Sequence, residues 1–442
     1  MLKPTKPLSG IVELLPAQQR CFDECARRMQ QVFRAAGFIN LDLTVLERAE
    51  VLVDKDNWDE LETQIYLFEK GDSKLGLRYD HTIGLARYVA GQANELVFPF
   101  RATQYSKVYR GERAQKGRYR EFYQLDADIL GIDRLSINYA AEAIATFSKA
   151  LGTIEEFVGP HNIRVGNRDY WNAMFEYLEL NADIGRQVFV LIDKKEKMSA
   201  EDFEKELRQI VGDTVAGLPC AVTEILSVFS DGYEAMEGKS AALDAAIAEI
   251  RNFQAVMSAM GIQNAKIDMS IMRGHAYYTG FVFETFLNNH PERGSICGGG
   301  GYDGLVSKFS KTNIKAFGAA IGISRMLVPL IEDGQIDLTP FESSADIAVL
   351  VMSQPCVPYA MKIVGELQSA GLMTVPFLDV DKKFKNQMEF ADKISCKFSM
   401  IIGEDEVKNS TITLKDMKTG EQKNGKRDDI INAVTLENKL KI

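Results

Sequence analysis

The rhythm of apolar segments changes near residue 340, and this change constrains the fold more than any other feature. Before it, short apolar runs alternate with polar turns and one long helical stretch; after it, strand-like and helix-like segments alternate. Regular alternation is typical of a small α/β domain, and separate runs of strands and helices are typical of an α+β domain. The sequence predicts an α+β domain at residues 1–335, a linker at 336–344 and an α/β domain at 345–442.

Apolar periodicity predicts the elements of the first domain. Residues at helical spacing predict a helix from Pro16 to Ala36. Alternating runs predict antiparallel strands at Phe38–Leu46, Ile65–Glu69 and Leu75–Arg78, and a strand pair within 101–131. A helical insertion is predicted at about 185–260, where Ser199 and Ser240 are candidate helix caps.

The composition excludes several classes of protein. Hydrophobic residues make up 46% of the 442 residues, which excludes wholesale disorder, and a net charge of −10 argues against a protein that coats nucleic acid non-specifically. No apolar run predicts a membrane span, and the N-terminal sequence is unlike a signal peptide. Six scattered cysteines predict reduced thiols in a cytoplasmic protein, and four scattered histidines give no zinc-ligand spacing.

A charged hairpin between residues 101 and 124 is the first candidate site. It carries seven basic and two acidic residues, a local charge of +5 in an acidic protein. Residues two apart share a face of a strand, so Arg110 and Glu112 point the same way, and Phe122 on the returning strand is placed to stack on a base. Guanidinium groups bind phosphate bidentately, so the segment predicts a nucleotide triphosphate site. The competing interpretation is a solvated charged hairpin.

Three further segments contain residues suited to ligand binding. Met272–Gly280 combines an arginine with paired tyrosines, whose hydroxyls donate and accept hydrogen bonds. Ser295–Gly304 contains four consecutive glycines, which permit close approach of backbone to ligand but lack the P-loop pattern. Phe317–Arg325 is a small-residue strand that leads into a helix. Taken singly, these segments also fit core aromatics, a flexible hairpin turn and a helix-surface arginine.

In this order, the four segments together resemble class II histidyl-tRNA synthetases over nearly the whole chain. Arg110–Gln124 resembles the family's motif 2, and Phe317–Leu327 resembles its motif 3. Arg273–Glu284 and Ser295–Leu305 resemble its two histidine-specific signatures. The resemblance implies a six-stranded antiparallel catalytic sheet with flanking helices, and a homodimer. It also implies activation of histidine by ATP with Mg²⁺, followed by transfer to the 3′ end of histidine tRNA.

The resemblance assigns roles at the ATP end of the site. The residues implied to bind ATP are Arg110, Glu112, Arg118, Phe122 and Arg325. Arg110 and Arg273 would hold the α-phosphate and act as the catalytic residues. Glu112 would contact the adenine amino group, Phe122 would stack on the base, and the other two arginines would bind the outer phosphates. The metal ligands are not identified.

The resemblance also assigns a histidine pocket. The residues implied to bind histidine are Asp80, Thr82, Gln124, Asp128, Tyr277, Tyr278 and Tyr302. The first three would hold the α-amino group, and Asp128, Tyr278 and Tyr302 would contact the imidazole. A carboxylate and a phenol can select a ring that offers one donor and one acceptor, because a wrong amino acid leaves buried polar groups unpaired at about 1–3 kcal/mol each. This logic can give discrimination without an editing domain, and no segment of the sequence requires one.

Several positions depart from the family pattern, mostly around this pocket. Thr44 stands where motif 1 usually has a proline, which bears on the dimer interface. His81, His275, Ala276 and Gly301 replace other residues near the histidine site. Two alternatives therefore stay open. One is a synthetase paralogue with another amino acid or acceptor, and the other is a non-catalytic subunit resembling the regulatory subunit of ATP phosphoribosyltransferase.

The tail differs in charge from the rest of the chain. From Asp381 to Ile442 there are 13 basic and 11 acidic residues, a charge of +2, which leaves −12 for the remainder. A relatively basic α/β domain fits an anticodon stem, while an acidic body disfavours non-specific phosphate contacts. The family resemblance extends into this region and implies an anticodon-binding domain. A dimerisation domain without RNA contact is the alternative.

Overall fold

The computed structural model describes residues 5–53, 64–212, 221–272 and 278–439. The chain divides into two compact units. The first contains Met1–Glu13 and Glu24–Ile336, and the second contains Leu14–Asp23 and Asp337–Ile442. The segment Leu14–Asp23 therefore groups with the second unit, although it lies within the span predicted for the first domain. In the described ranges, no helix is long and apolar enough to cross a membrane.

The first unit is built on a large mixed sheet. The strands up to residue 336 are β1 (Ile39–Asn40), β2 (Leu46–Arg48), β3 (Leu67–Lys70), β4 (Ser73–Leu77), β5 (Phe100–Tyr109), β6 (Glu121–Ile132), β7 (His161–Asn167), β8 (Ala265–Ile267), β9 (Thr279–Leu287), β10 (Cys297–Gly301) and β11 (Ile314–Ile321). Among the described residues, the largest sheet has eight strands in the order β1-β5-β6-β11-β10-β9-β7-β8. The six strands from β5 to β7 in this order pair antiparallel, and the short edge strands β1 and β8 pair parallel. The expected six-stranded antiparallel sheet is confirmed, with one parallel strand added at each edge.

Helices pack against this sheet and form the insertion. The described α-helices up to residue 336 are α1 (Pro16–Ala35), α2 (Ala49–Leu52), α3 (Thr82–Gln92), α4 (Asn138–Gly152), α5 (Glu155–Val158), α6 (Arg168–Tyr177), α7 (Ala182–Lys194), α8 (Ala200–Val211), α9 (Ala221–Ser230), α10 (Ala241–Ala259) and α11 (Ile323–Glu332). Helices α4 and α11 contact β6, and α6 contacts β9. Helix α4 packs closely because its many alanines present little bulk, and it buries Ile144, Phe147 and Leu151.

The helical insertion begins its helices with the caps that the sequence predicts. Ser199 Oγ accepts a hydrogen bond from the backbone N–H of Asp202 at the start of α8. Ser240 Oγ accepts one from the N–H of Leu243 at the start of α10. Each bond satisfies one of the N–H groups that a helix leaves unpaired at its first turn.

One predicted element and one competing interpretation differ from the structure. The run Phe38–Leu46 is not one strand, because β1 joins the large sheet while β2 pairs with β4 in a separate sheet of order β2-β4-β3. The glycine cluster Gly298–Gly301 is not a hairpin turn but lies in strand β10, paired on both sides. Glycine has low strand propensity, so the local sequence gives little sign of a strand that its neighbours hold in place.

The second unit contains a smaller sheet. Its strands are β12 (Ile347–Val351), β13 (Thr374–Phe377), β14 (Phe398–Ile402), β15 (Thr411–Asp416) and β16 (Gln422–Lys426), and the helices after residue 336 are α12 (Val357–Ser369), α13 (Phe384–Lys393), α14 (Glu404–Asn409) and α15 (Arg427–Lys439). As described, the sheet has the order β13-β12-β14-β15-β16, with β12 parallel to β13 and β14. Strand β12 is buried on both faces, with Val349 packed beside Ile363 of α12 and Leu350 beside Ala391 of α13. This is the two-sided burial typical of parallel strands.

Candidate active site

Strand β6 places a row of functional side chains on one face of the large sheet. Side chains alternate along a strand, so Phe122, Gln124, Asp126 and Asp128 share one face. Residue Val108 near the end of β5 pairs with Phe122. The turn between β5 and β6 therefore lies next to Phe122, at the aromatic end of this row. The opposite end of the row, at Asp126 and Asp128, is acidic and buried.

The neighbouring strands leave space beside this row because their residues are small. Gly318 and Ala320 of β11 pair with Asp128 and Asp126, and the glycines of β10 follow on the next strand. A Cβ atom added to Gly318 would lie only 1.7 Å from Asp128 Oδ1. The strand therefore requires glycine here, since any side chain would occupy the place of the Asp128 carboxylate.

The row forms part of an open cleft of about 370 Å³ in the first unit. The candidate residues that line the cleft are Asp80, Thr82, Arg110, Glu112, Arg118, Phe122, Gln124, Tyr278 and Arg325. Asp128 and Tyr302 are not among its lining residues; they are buried next to it, at 3% and 1% exposure. The structure thus gathers candidates that lie more than 200 positions apart in the chain.

Three guanidinium groups converge in the cleft. Burial lowers the pKa of Arg325 from its usual value, and the positive charges of Arg118 and Arg110 lower it further. The carboxylates of Glu284 and Glu112 act in the opposite direction. Like charges held this close in a partly desolvated cleft create a strongly positive potential, which favours a polyanionic ligand.

Aromatic rings orient Arg110. Its guanidinium carbon lies 4.5 Å from the ring centroid of Tyr79 and 5.2 Å from that of Phe122, both within cation–π range. Its Nε also donates a hydrogen bond of 3.4 Å to the carbonyl oxygen of Tyr79. The guanidinium is therefore positioned largely by stacking.

The start of α3 presents polar groups to the other side of the cleft. Asp80 Oδ1 accepts a hydrogen bond of 3.0 Å from the backbone N–H of Ile83, which orients the carboxylate at the helix terminus. Thr82 is the first residue of α3. Across the cleft, Gln124 Oε1 is buried and makes no hydrogen bond within the described part of the chain. These groups can accept hydrogen bonds from an ammonium ion.

A buried carboxyl–phenol pair lies at the inner end. Tyr302 Oη donates a hydrogen bond of 2.7 Å to Asp128 Oδ1. Burial raises the pKa of Asp128 well above its usual value, and the charge of Asp126 raises it further. Burial also raises the pKa of the Tyr278 phenol, followed by the charges of Asp128 and Asp80. Phenol and carboxyl groups therefore supply both donors and acceptors in a dry environment.

Some candidate positions lie outside the described residues. These are Arg273 and Tyr277, together with the departures His275 and Ala276. The departure Gly301 is described, and a Cβ atom added there would lie 2.6 Å from the carbonyl oxygen of Thr279. In this strand register, Gly301 leaves no room for a side chain.

Sequence reasoning missed several cleft residues, including Asp126, Glu284 and Tyr119. The alternation that puts Gln124 and Asp128 on one face of β6 also puts Asp126 there, so the sequence pattern was sufficient to predict this residue. Glu284 reaches the cleft because β9 pairs it with Gly298, and this register cannot be derived from either segment alone. Tyr119 lies in the hairpin loop, where burial raises its pKa to about 12.

The donors for a metal ion are carboxylates scattered through the cleft. Within the described ranges, no group of three or more His, Cys, Asp or Glu side chains could by itself hold a metal. Glu112 and Glu284 line the cleft with the arginines. One or two carboxylates combined with substrate phosphate oxygens is the ligand set that Mg²⁺ prefers, so these residues fit a metal that enters with a nucleotide.

Comparison with known proteins identifies the family. The family model described as "Histidyl-tRNA synthetase" matches residues 10–326, more than half of the chain. The chain belongs to the histidyl-tRNA synthetase family. A second model, described as "Anticodon binding domain", matches residues 346–437. The sequence resemblance to this synthetase family is therefore confirmed in both parts of the chain.

Individual members of the family match this chain over nearly their full length. The protein named histidine–tRNA ligase from Clostridium acetobutylicum is 35% identical over 425 residues, which cover 94% of this chain and 96% of that protein. The crystal structure of histidyl-tRNA synthetase from Nostoc sp. PCC 7120 superimposes with a TM-score of 0.85 at 27% identity, covering 99% of this chain and 100% of that one.

A structure from Bacillus halodurans, titled as an ATP phosphoribosyltransferase regulatory subunit/histidyl-tRNA synthetase, has a TM-score of 0.70 at 21% identity. It covers 86% of this chain and 96% of that one. At this level of identity the likeness concerns the fold alone. The ligase relatives therefore favour an aminoacyl-tRNA ligase over the regulatory subunit.

Proposed function

We propose that this protein activates histidine with ATP and transfers it to the 3′ end of histidine tRNA. The observation that carries the proposal is a single cleft in which three arginines lie beside a buried carboxyl–phenol pair. The arginines suit a triphosphate, and the buried pair suits an imidazole. Family membership connects these two ends to one reaction.

The ATP end follows from the aromatic and cationic side chains. Phe122 stacks on the adenine and Glu112 accepts a hydrogen bond from its amino group. Arg110, held by the rings of Tyr79 and Phe122, contacts the α-phosphate. Arg118 and Arg325 bind the outer phosphates, whose negative charge offsets the repulsion by which Arg118 lowers the pKa of Arg325.

The histidine end follows from the acidic row. The ammonium group is held by Asp80, Thr82 and Gln124, and the imidazole lies against Asp128 with Tyr278 and Tyr302 beside it; Tyr277 belongs to the same pocket by resemblance. A buried pocket of this kind is selective because an amino acid without the ring's donor and acceptor leaves the carboxyl–phenol pair unsatisfied.

The reaction joins the two ends. A carboxylate oxygen of histidine attacks the α-phosphorus and forms the mixed anhydride, while the bond from the α-phosphorus to the bridging oxygen breaks and pyrophosphate leaves. Arg110 and Arg273 stabilise the charge that develops on the α-phosphoryl oxygens. Mg²⁺ that enters with ATP would be held by Glu284 beside the phosphates and would supply further charge neutralisation.

The second unit would recognise the tRNA. Its match to an anticodon-binding model and the charge of +2 over residues 381–442 support this role.

We further propose that the protein acts in the cytoplasm as a homodimer, in keeping with its family. Thr44, at the expected dimer position, donates a hydrogen bond of 2.9 Å to Glu47.

Histidine-dependent exchange of pyrophosphate into ATP tests the proposal directly. We expect exchange with histidine and not with the other amino acids, followed by charging of histidine tRNA. Exchange supported only by another amino acid would refute the specificity, and absence of exchange with every amino acid would refute the enzyme.

Arg273→Ala provides the matching test of the catalytic assignment. The variant should fold normally and lose exchange activity by about 10²–10³-fold, because the lost group acts on charge in the transition state. Arg186→Ala is a suitable control, since Arg186 is an exposed arginine on the helical insertion. Near-normal exchange by Arg273→Ala would contradict its role.

A further inference from the structure

His81 and Asp126 form a buried pair beside the histidine pocket. His81 Nδ1 lies 3.1 Å from Asp126 Oδ1, and the two side chains are 0% and 5% exposed. The contact is not directed along a hydrogen bond, and neither atom has a hydrogen-bond partner within the described ranges. None of the roles assigned above uses either residue.

Ser106 holds the imidazole of His81 from the opposite side. Ser106 Oγ lies 2.9 Å from His81 Nε2. If the hydroxyl donates to Nε2, the neutral ring carries its proton on Nδ1, the atom that faces Asp126. Gln104, which pairs with Asp126 across β5 and β6, also donates to the backbone carbonyl of His81. The ring is therefore held at Nε2 by Ser106 and anchored through its backbone carbonyl, and Nδ1 is left facing Asp126.

The pair lies at the ammonium end of the pocket. His81 stands between Asp80 and Thr82 in the chain, and Asp126 stands between Gln124 and Asp128 on one face of β6. Asp126 also lines the cleft. A carboxylate that lines the cleft while its Oδ1 lies against His81 can present its second oxygen to a ligand.

We propose that Asp126 is a specificity-determining residue that accepts a hydrogen bond from the α-ammonium group of the bound amino acid through Oδ2, and that His81 is the positioning residue that holds its carboxylate. The proposal deepens the proposed function and rests on it. Asp126 then acts with Asp80 as a second anion for the ammonium group, and Asp128 is left to the imidazole.

Electrostatics explain why such a carboxylate needs both partners. Asp126 and Asp128 are both buried, and the charge of Asp126 raises the pKa of Asp128, so two carboxylates at this place cost desolvation free energy. The N–H group of His81 and the positive charge of Arg78 compensate part of this cost. The ammonium group of a bound amino acid compensates the rest of this cost. Ligands that carry an ammonium group therefore bind more tightly than ligands that lack one.

The order Ser106, His81, Asp126 is also that of a hydrolytic triad, but the geometry supports positioning. A nucleophilic serine must face the substrate, and Ser106 is not among the residues that line the cleft. Asp126, at the other end of the chain of contacts, does line it. In this row of contacts, the Asp126 carboxylate and not the Ser106 hydroxyl therefore faces the ligand.

A pair of ligands that differ only in the ammonium group tests the proposal. L-Histidinol carries it, and 3-(imidazol-4-yl)propan-1-ol lacks it. By calorimetry, Asp126→Asn should weaken histidinol by about 10- to 100-fold, because a charged hydrogen bond is replaced by a weaker contact, and should leave the deamino alcohol within twofold. Equal weakening of both ligands, or no weakening of histidinol, would overturn the inference.

Variants of His81 test the positioning role even where Asp126→Asn folds poorly. His81→Asn keeps an N–H donor at the place of Nδ1 and should retain histidinol affinity within about threefold, whereas His81→Leu should lose about tenfold for histidinol alone. His161→Asn is the matched control, since His161 is a buried histidine bound to Ser148 outside the cleft. A His81→Leu protein that binds both ligands like wild type refutes the role. Wild type that binds neither ligand and shows no exchange refutes the proposed function itself.

Discussion

Gly318→Ala gives a sharp test of the histidine pocket because it adds a single methyl group at a known place. The new Cβ would lie 1.7 Å from Asp128 Oδ1, 2.6 Å from its Cγ and 3.2 Å from Tyr302 Cε1. Ordinary contacts of this kind are about 3.5–4.0 Å, so the carboxylate must move by more than an ångström. The hydrogen bond of 2.7 Å from Tyr302 cannot survive that movement.

The size of the effect follows from the lost bond. A hydrogen bond to a charged group contributes about 1.5–3 kcal/mol, which corresponds to roughly a 10- to 100-fold change in an equilibrium constant. We therefore expect the KM for histidine in pyrophosphate exchange to rise by about that factor. The KM for ATP should change little, because the arginines and Phe122 lie at the other end of the row.

Gly304→Ala is the matched control for this substitution. A Cβ atom there has no neighbour within 4 Å, although the residue follows Tyr302 closely in the chain. The control should keep both KM values and its melting temperature. A Gly318→Ala enzyme that retains the wild-type KM for histidine would refute the assignment of Asp128 and Tyr302, and an equal rise in both KM values would show general damage.

The remaining predictions concern other parts of the site. Arg325→Ala should raise the KM for ATP and lower kcat/KM by about 10²–10³-fold in exchange assays, because a partly buried charge opposite the phosphates is lost. Asp128→Asn should abolish histidine selectivity yet raise the melting temperature at pH 8. Since the folded pKa of Asp128 lies above its unfolded value, the stability linked to its protonation is present at low pH and lost as pH rises, so the gain in Asp128→Asn should shrink toward pH 5. Truncation after Ser343 should preserve exchange and reduce tRNA charging, with folding checked by circular dichroism; undiminished charging would refute an anticodon role for the second unit.

The hairpin β5–β6 could be predicted from sequence because its signals are local. Alternation along β6 assigns Gln124 and Asp128 to the face of Phe122, and the charged turn marks where the chain reverses. The division of the chain into two domains is likewise indicated by the order of its apolar runs. These features depend on periodicity, which a strand imposes wherever one of its faces is buried.

Strand β10 could not be predicted in the same way. Its four glycines have little intrinsic tendency to form a strand, and the close neighbours on β9 and β11 explain them, because a Cβ atom added to any of the four would lie 2.1–3.0 Å from an atom of those strands. The pairing of Glu284 with Gly298 and the contact of His81 with Asp126 are also tertiary. Each joins segments whose register is set by the whole sheet rather than by either segment.

The departures from the family pattern argue for a functional pocket rather than a decayed one. His81 has a partner in Asp126, and Gly301 fits closely against the Thr279 carbonyl, so both are integrated into their surroundings. The buried Asp128 is kept at a cost to stability, because burial and a neighbouring carboxylate both oppose its charged form. A chain released from binding an amino acid would gain stability by replacing this residue. Its presence beside a glycine that leaves space for it therefore supports a role in binding the ligand and not in stabilising the fold.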